Sequence, residues 1–192
     1  MLFRSMSNIL EQICEYKKTI ITRDKRNISL TEAKILASKI DIKPKFYKAI
    51  NNKLNNNQIA IIAEIKEKSP SQGVINNNFS LTNISKSYKD GGACAISVLT
   101  DEKYFNGKNE NIKIVKNNTN LPILRKDFII DEYQIYQARY FGADAVLLIA
   151  SLLTSEQIQK FLNVSRSIAM DCQVEVQDEK DLVKVQIGRA HV

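Results

Sequence analysis

Apolar residues change their spacing partway along the chain. Up to about residue 57 they recur at helical intervals, with Ile9, Ile13, Tyr16 and Ile20 forming one stripe. Leu30 to Ile40 continues in the same way, with Ser29 or Thr31 placed to cap its first turn. Pro44 breaks the pattern, because proline lacks an amide hydrogen and its ring clashes with the preceding turn. Phe46 to Leu54 then predicts a third helix, and Asn55 to Asn57 a loop.

From residue 58 the pattern becomes one of short continuous apolar runs, as expected for strands covered on both faces of a parallel sheet. The runs are Ile59 to Ala63, Ala93 to Leu99, Leu121 to Leu124, Ala143 to Ile149 and Gln173 to Val176. Helical spacing fills the intervals at Leu81 to Asp90, Asn109 to Asn117, Asp131 to Phe141 and Ser155 to Met170. Gly91-Gly92 and Gly142 stand where helices end on a left-handed residue. Asp131 and either Thr154 or Ser155 stand where an N-cap is needed. Strand and helix thus alternate, a rhythm shared by doubly wound sheets and (β/α)8 barrels. No GxGxxG follows the first strand, which weighs against a dinucleotide fold. Polar residues gather instead at strand C-termini: Glu64 and Lys66, Thr100 and Asp101, Arg125 and Lys126, and Glu175. That is the face on which barrel enzymes place their chemistry.

Length and composition narrow the picture further. The 192 residues suit one domain, and 44% hydrophobic with 26% charged is an ordinary globular balance. No apolar run approaches the roughly 20 residues of a membrane helix, and Met1 to Asn8 lacks the apolar segment of a secretory signal. Cys14, Cys94 and Cys172 are far apart, with no zinc-like spacing, which fits a reducing cytoplasm. The net charge of +7 fits attraction to an anion, but the Ile, Lys and Asn abundance that AT-rich codons give is the better explanation of it. The basic residues are scattered rather than striped, which argues against a nucleic-acid-binding module.

Glu64 and Lys66 stand two apart, so strand alternation points both to one side. In a barrel that side is the interior, where ionised groups are costly unless paired or used. A structural salt bridge or a solvated loop would explain them equally well. Lys126 follows Leu121-Pro122-Ile123-Leu124-Arg125. A lysine near apolar walls and another cation loses proton affinity and suits a general acid; an exposed loop lysine is the alternative. Glu175 is an acid between strand residues, in the site or on a solvated edge. Ser69-Pro70-Ser71-Gln72-Gly73 is a loop whose amides and hydroxyls can hold an anion or simply turn the chain. Phe105, Phe128 and Leu147 can wall an aromatic-ring pocket or serve as ordinary core.

Four long segments together, IAEIKEKSPSQGVI, GGACAISVLTDEKYFNG, LPILRKDFIIDEYQIYQARYFGADAVLLIA and VEVQDEKDL, resemble the indole-3-glycerol phosphate synthase family. They are ordered and correctly spaced over roughly residues 58 to 183. The resemblance implies an α/β fold, a (β/α)8 TIM barrel preceded by a helical extension. It implies conversion of 1-(2-carboxyphenylamino)-1-deoxyribulose 5-phosphate to indole-3-glycerol phosphate, with loss of carbon dioxide and water. It implies no cofactor and no metal, a phosphorylated small molecule as partner, and neither nucleic acid nor membrane. By motif position, Lys126 resembles the general acid that protonates the substrate carbonyl. Lys66 resembles the lysine that meets the anionic substrate and assists a later proton transfer. Glu175 is similar to the base of the dehydration, and Glu64 to the acid that orients the lysines. Ser69 matches a contact to the substrate carboxylate, and Pro70, Phe105, Phe128 and Leu147 fall on the ring pocket. A related phosphate-binding barrel of the same pathway is the alternative, but it gives no reason for LRKDFI or the SPS loop.

The resemblance also implies three more strands, carrying an Asn and the Gly/Ser phosphate loops, which do not occur before Gln186. We therefore expect residues 1–57 to form the extension and 58–186 the first part of an incomplete barrel. On that reading the chain alone is inactive and associates through its unclosed sheet edge. Ile187-Gly188-Arg189-Ala190-His191-Val192 matches the in-frame translation of a common sequencing-adapter read-through and is expected to be foreign. His191, the single histidine, therefore receives no catalytic role.

Overall fold

The computed structural model describes residues 2–40, 45–75 and 78–189, with 2–8 and 187–189 described by backbone alone. Three helices come first: α1 (Leu2–Asn27), α2 (Leu30–Ser38) and α3 (Phe46–Asn55). Then come β1 (Ile62–Ile65), a small hairpin of β2 (Lys68–Ser69) and β3 (Gly73–Val74), and α4 (Leu81–Asp90). The chain continues through β4 (Ala95–Leu99), α5 (Glu102–Phe105), α6 (Glu110–Asn118), β5 (Ile123–Lys126) and α7 (Glu132–Phe141). It ends with β6 (Ala145–Ile149), a 3-10 turn over Ala150–Leu152, α8 (Ser155–Ser167), β7 (Asp171–Glu175) and α9 (Glu179–Arg189). Pro44 and residues 190–192, His191 included, lie outside the described residues.

β1, β4, β5, β6 and β7 form one parallel sheet in that order. Strand order follows chain order without the reversal that defines a doubly wound sheet. The fold is therefore α/β of the barrel kind, with five strands that do not close. Among the described residues β1 has only β4 beside it, and β7 only β6.

Alternation divides the strands between two cores. One set, including Ile65, Ile96, Val98, Ile123, Val146 and Leu148, packs outward against α6, α7 and α8 through Ile112, Val115, Ile135 and Phe161. The other set, Ala95, Leu124, Ala145, Leu147 and Ile149, faces inward and is met by Phe46 of α3. The amides of Phe46 and Tyr47 donate to the Asp171 carboxylate at 3.1 and 3.2 Å, and Tyr47 Oη donates to the Cys172 carbonyl at 2.6 Å. The N-terminus of α3 is thereby fixed to the start of β7, where its dipole favours the carboxylate. A third cluster, Ile21, Ala33, Ala37, Tyr133 and Tyr136, docks α1 and α2 on α7.

Helix ends follow the local chemistry. Ser29 with Glu32, Asp131 with Gln134 and Thr154 with Gln157 each form a reciprocal capping box, so Ser29 and Thr154 are the caps rather than Thr31 and Ser155. Gly142 closes α7 at φ 98°, a backbone geometry in which glycine carries no Cβ penalty. Three expectations need correction. The first strand begins at Ile62, not Ile59, and Ile59 and Ile61 are 81% and 48% exposed. Its place at the sheet's edge explains this, since an edge strand is not covered as an internal one is. The strands expected at 121–124 and 173–176 instead span Ile123–Lys126 and Asp171–Glu175, so both candidate site residues end a strand. The buried stripe of α1 is Ile13, Lys17 and Ile21, while Ile9 is exposed. A lysine at the centre of that face displaced the apolar register.

Candidate active site

The inward face presents Glu64 from β1, Ser97 and Leu99 from β4, Lys126 from β5, Leu147 and Ile149 from β6, and Gln173 and Glu175 from β7. At the C-terminal ends of these strands lies a hollow of about 230 Å³. It is lined by Glu64, Lys66, Lys126 and Glu175 on its polar side and by Phe105, Phe128, Leu147, Leu99 and Ile149 on its apolar side. Leu10 of α1 adds to the apolar wall. Below it a second space of about 170 Å³ reaches Ser97 and Gln173. Another hollow, of about 270 Å³, lies between α1, α2 and α7. Three of its charged groups, Arg23, Asp24 and Glu102, pair with one another, and it lies away from the strand ends, so the chemistry points to the strand-end hollow.

Glu64 is the centre of the charged group. Its Oε2 accepts from Lys126 Nζ at 2.6 Å, and its Oε1 meets Lys66 Nζ at 3.0 Å. Burial pushes the Glu64 carboxyl up, but hydrogen bonds from Lys126 and then Lys66 outweigh it and hold the group below its ordinary value. One ionised carboxylate thus presents two ammonium groups to the same space. The second cation beside Lys126 is Lys66, on the same carboxylate, and not its sequence neighbour: Arg125 points to the other side of the strand, toward Asp127, Thr100 and Gln137. Glu175 makes no ion pair among the described residues, and its carboxylate accepts a 3.4 Å hydrogen bond from Gln177 Nε2. Two carboxylates therefore share the hollow in different environments, one bound to lysines and one without a cation, a division that suits separate acid–base roles.

The apolar side is built by two loops. Phe105 ends α5 and Phe128 follows β5, with ring centroids 6.3 Å apart and planes at 36°. Leu147 is 3% exposed beneath them. Seven of the nine sequence candidates, Glu64, Lys66, Lys126, Glu175, Phe105, Phe128 and Leu147, are thus brought together. Ser69 and Pro70 are not among the lining residues. Ser69 is buried at the base of the hairpin turn, where its hydroxyl accepts from the Gln72 amide at 3.2 Å, and Pro70 is exposed at the tip.

Sequence reading missed the support behind the wall. Lys17 of α1 is 3% exposed and lies 2.8 Å from Asp101 and 2.7 Å from Asp127. Asp127 also accepts from Thr100 at 2.7 Å and Arg125 at 2.9 Å. Burial pushes the Asp127 carboxyl up, but Lys17 and Arg125, with the Thr100 hydroxyl, bring it down to about 2. Burial weakens proton binding by Lys17, while Asp127 and Asp101 more than restore it, so its pKa stands above the ordinary lysine value. Asp127 follows Lys126 directly, and Thr100 and Asp101 were visible at a strand end, but nothing local in the sequence singles out Lys17. Ser97, the one polar residue of β4, had a signal: a hydroxyl in an otherwise apolar strand.

Among the described residues no group of three or more His, Cys, Asp or Glu is placed to hold a metal. Among them, too, no helix is long and apolar enough to cross a membrane.

A parallel βα sheet with a lysine–carboxylate group over an apolar hollow at its C-terminal edge defines a protein of the barrel class, with its candidate site on the face where barrel enzymes place theirs. The family profile of indole-3-glycerol phosphate synthase matches residues 10–191. The indole-3-glycerol phosphate synthase of Neisseria meningitidis is 42% identical over 179 residues, covering 93% of this chain and 69% of that protein. That of Acetivibrio thermocellus is 43% identical over 186 residues, covering 96% and 70%. That of Petrotoga mobilis is 47% identical over 153 residues, covering 80% and 57%. The chain belongs to the indole-3-glycerol phosphate synthase family.

Proposed function

We propose that this site closes the indole ring of 1-(2-carboxyphenylamino)-1-deoxyribulose 5-phosphate, as a carbon–carbon lyase that releases carbon dioxide and water. The observation that carries this reading is the Glu64 carboxylate holding Lys66 and Lys126 over the Phe105–Phe128–Leu147 wall, with Glu175 unpaired in the same hollow. In this reading the substrate's aromatic ring lies against the wall, so proximity supplies part of the rate. The ring carbon bearing the carboxylate attacks the ketone, and Lys126 gives the carbonyl oxygen its proton as the new bond forms. The carbon–carboxylate bond then breaks, carbon dioxide leaves, and its electron pair restores the aromatic ring. The new hydroxyl takes a proton with the help of Lys66 and leaves as water, while Glu175 removes a proton from the adjacent methylene of the new five-membered ring, so that its carbon–carbon double bond forms. Lysine charge holds the substrate carboxylate until it leaves as carbon dioxide. Ser69 contacts the substrate carboxylate once its hydroxyl turns from the Gln72 amide, and Pro70 extends the ring pocket from the hairpin.

The test is rescue of a tryptophan auxotroph lacking the synthase, using the complete gene. Rescue that is lost on Lys126→Ala, with the protein still folded, supports the reading; a gene that never rescues overturns it.

The open edges enter the same proposal. β7 leaves a groove of about 680 Å³ lined by apolar residues including Leu162, Val174 and Val176. We propose that this edge takes further strands in the working barrel, and that the 192-residue chain alone associates through it and does not turn over. Light scattering on the purified chain should give a mass above the monomer's that rises with concentration. An active monomer would contradict this.

A further inference from the structure

The N-terminal helix α1 reaches the site through one buried charge. Lys17 Nζ lies 2.8 Å from Asp101 Oδ2 and 2.7 Å from Asp127 Oδ1, and the three side chains are almost wholly excluded from solvent. Each carboxylate has a second task. Asp101 Oδ1 accepts the Tyr104 amide at 2.8 Å and so caps α5, the short helix that ends in Phe105. Asp127 Oδ1 accepts the Phe128 amide at 2.8 Å. The two rings that form the wall therefore stand on two carboxylates that share one lysine.

We propose that Lys17 is a positioning residue for the ring pocket, holding Phe105 through Asp101 and Phe128 through Asp127. This rests on the reading of the site given above for its kinetic consequence, but not for its structural one. The physical basis is the cost of a buried carboxylate without its cation. Two such groups facing each other repel once the lysine is removed, and relief requires one of the loops to move. Asp127 keeps Arg125 and Thr100 as partners, whereas Asp101 has no other cation among the described residues. The α5 loop is thus the one that gives way. Gly107 marks how little room that loop has, since a Cβ there would collide with the Leu99 carbonyl group.

The predicted asymmetry supplies the test. Asp101→Asn keeps a side-chain oxygen to cap α5 and leaves Lys17 paired with Asp127. NMR of the protein from the complete gene should show the Phe105 ring resonances shifted and the Phe128 amide, which Asp127 holds, in place. In Lys17→Met the two carboxylates face each other without their cation, so the α5 loop should move while Phe128 stays on Asp127, and the cross-peak between the rings should fall to less than about a third. Lys17→Arg should restore it, because a guanidinium can meet both carboxylates. A general packing role would move both rings in every variant or neither. In the enzyme from the complete gene, Lys17→Met should raise KM for the aryl substrate about ten-fold with kcat within about three-fold. Unshifted Phe105 resonances in a folded Asp101→Asn protein overturn the proposal, whatever reaction the enzyme catalyses. Should Lys17→Met fail to fold, the Asp101→Asn comparison alone decides.

Discussion

Replacing Phe46 with alanine tests how the inward face is supported. Phe46 is 1% exposed, edge-on to Tyr47 at 6.0 Å, and packs with Ala95, Leu124, Ala145 and Leu147. Burying a ring of roughly 200 Å² at about 25 cal/mol per Å² gives an upper figure of about 5 kcal/mol. Phenylalanine-to-alanine changes in well-packed cores cost about 3–5 kcal/mol, cavity included. At roughly 2–4 °C per kcal/mol for a domain of this size, Tm should fall by about 6–20 °C. Urea unfolding followed by circular dichroism should show the midpoint lowered with an unchanged slope, as lost stability without altered compactness requires. Tyr47→Phe is the control. It removes only the donor to the Cys172 carbonyl and should cost about 1 kcal/mol. A loss below about 1.5 kcal/mol for Phe46→Ala would show that α3 does not plug the sheet, and the reasoning from this packing would fail.

The Asp127 carboxyl lies at about 2 against an ordinary 3.8, and the difference contributes about 2 kcal/mol. Because the folded value is the lower one, that stability is present in full above the ordinary value and is lost as pH falls through about 2. Melting curves of wild type and Asp127→Asn should therefore differ most near neutrality and converge toward pH 2 by about that amount; a constant gap would contradict it. Gly107→Ala should destabilise the chain by more than about 2 kcal/mol, since the backbone atoms around Leu99 cannot yield as a flexible side chain does. Urea unfolding checks it, and a loss under about 0.5 kcal/mol would refute it.

The alternation of strand and helix was legible because each apolar run is bounded by its own punctuation. Gly142 ends α7 in the left-handed region, and Asp131 and Thr154 cap helices as their side chains suggest. The start of β1 was not, because Ile59 to Ile61 are apolar without being in the sheet. Within the site, two-residue spacing placed Glu64 and Lys66 on one side, as found. The same alternation separates Lys126 from Arg125, so a neighbour in sequence proved to be on the opposite face, and Lys126 meets Glu64 instead. Lys17 is one of 28 basic residues, and only tertiary packing distinguishes it from the solvated ones. Ser69 read as a free loop hydroxyl, whereas the hairpin turn occupies it with the Gln72 amide.

Lys126 is the proposed acid of ring closure. The measurement is the rate of indole-3-glycerol phosphate formation by the enzyme from the complete gene, compared with Lys126→Ala. The wild-type enzyme should form the product, and the variant should lose about 10²–10⁴-fold in kcat while remaining folded, as removal of a general acid requires. A folded Lys126→Ala enzyme that keeps its rate would contradict the assignment.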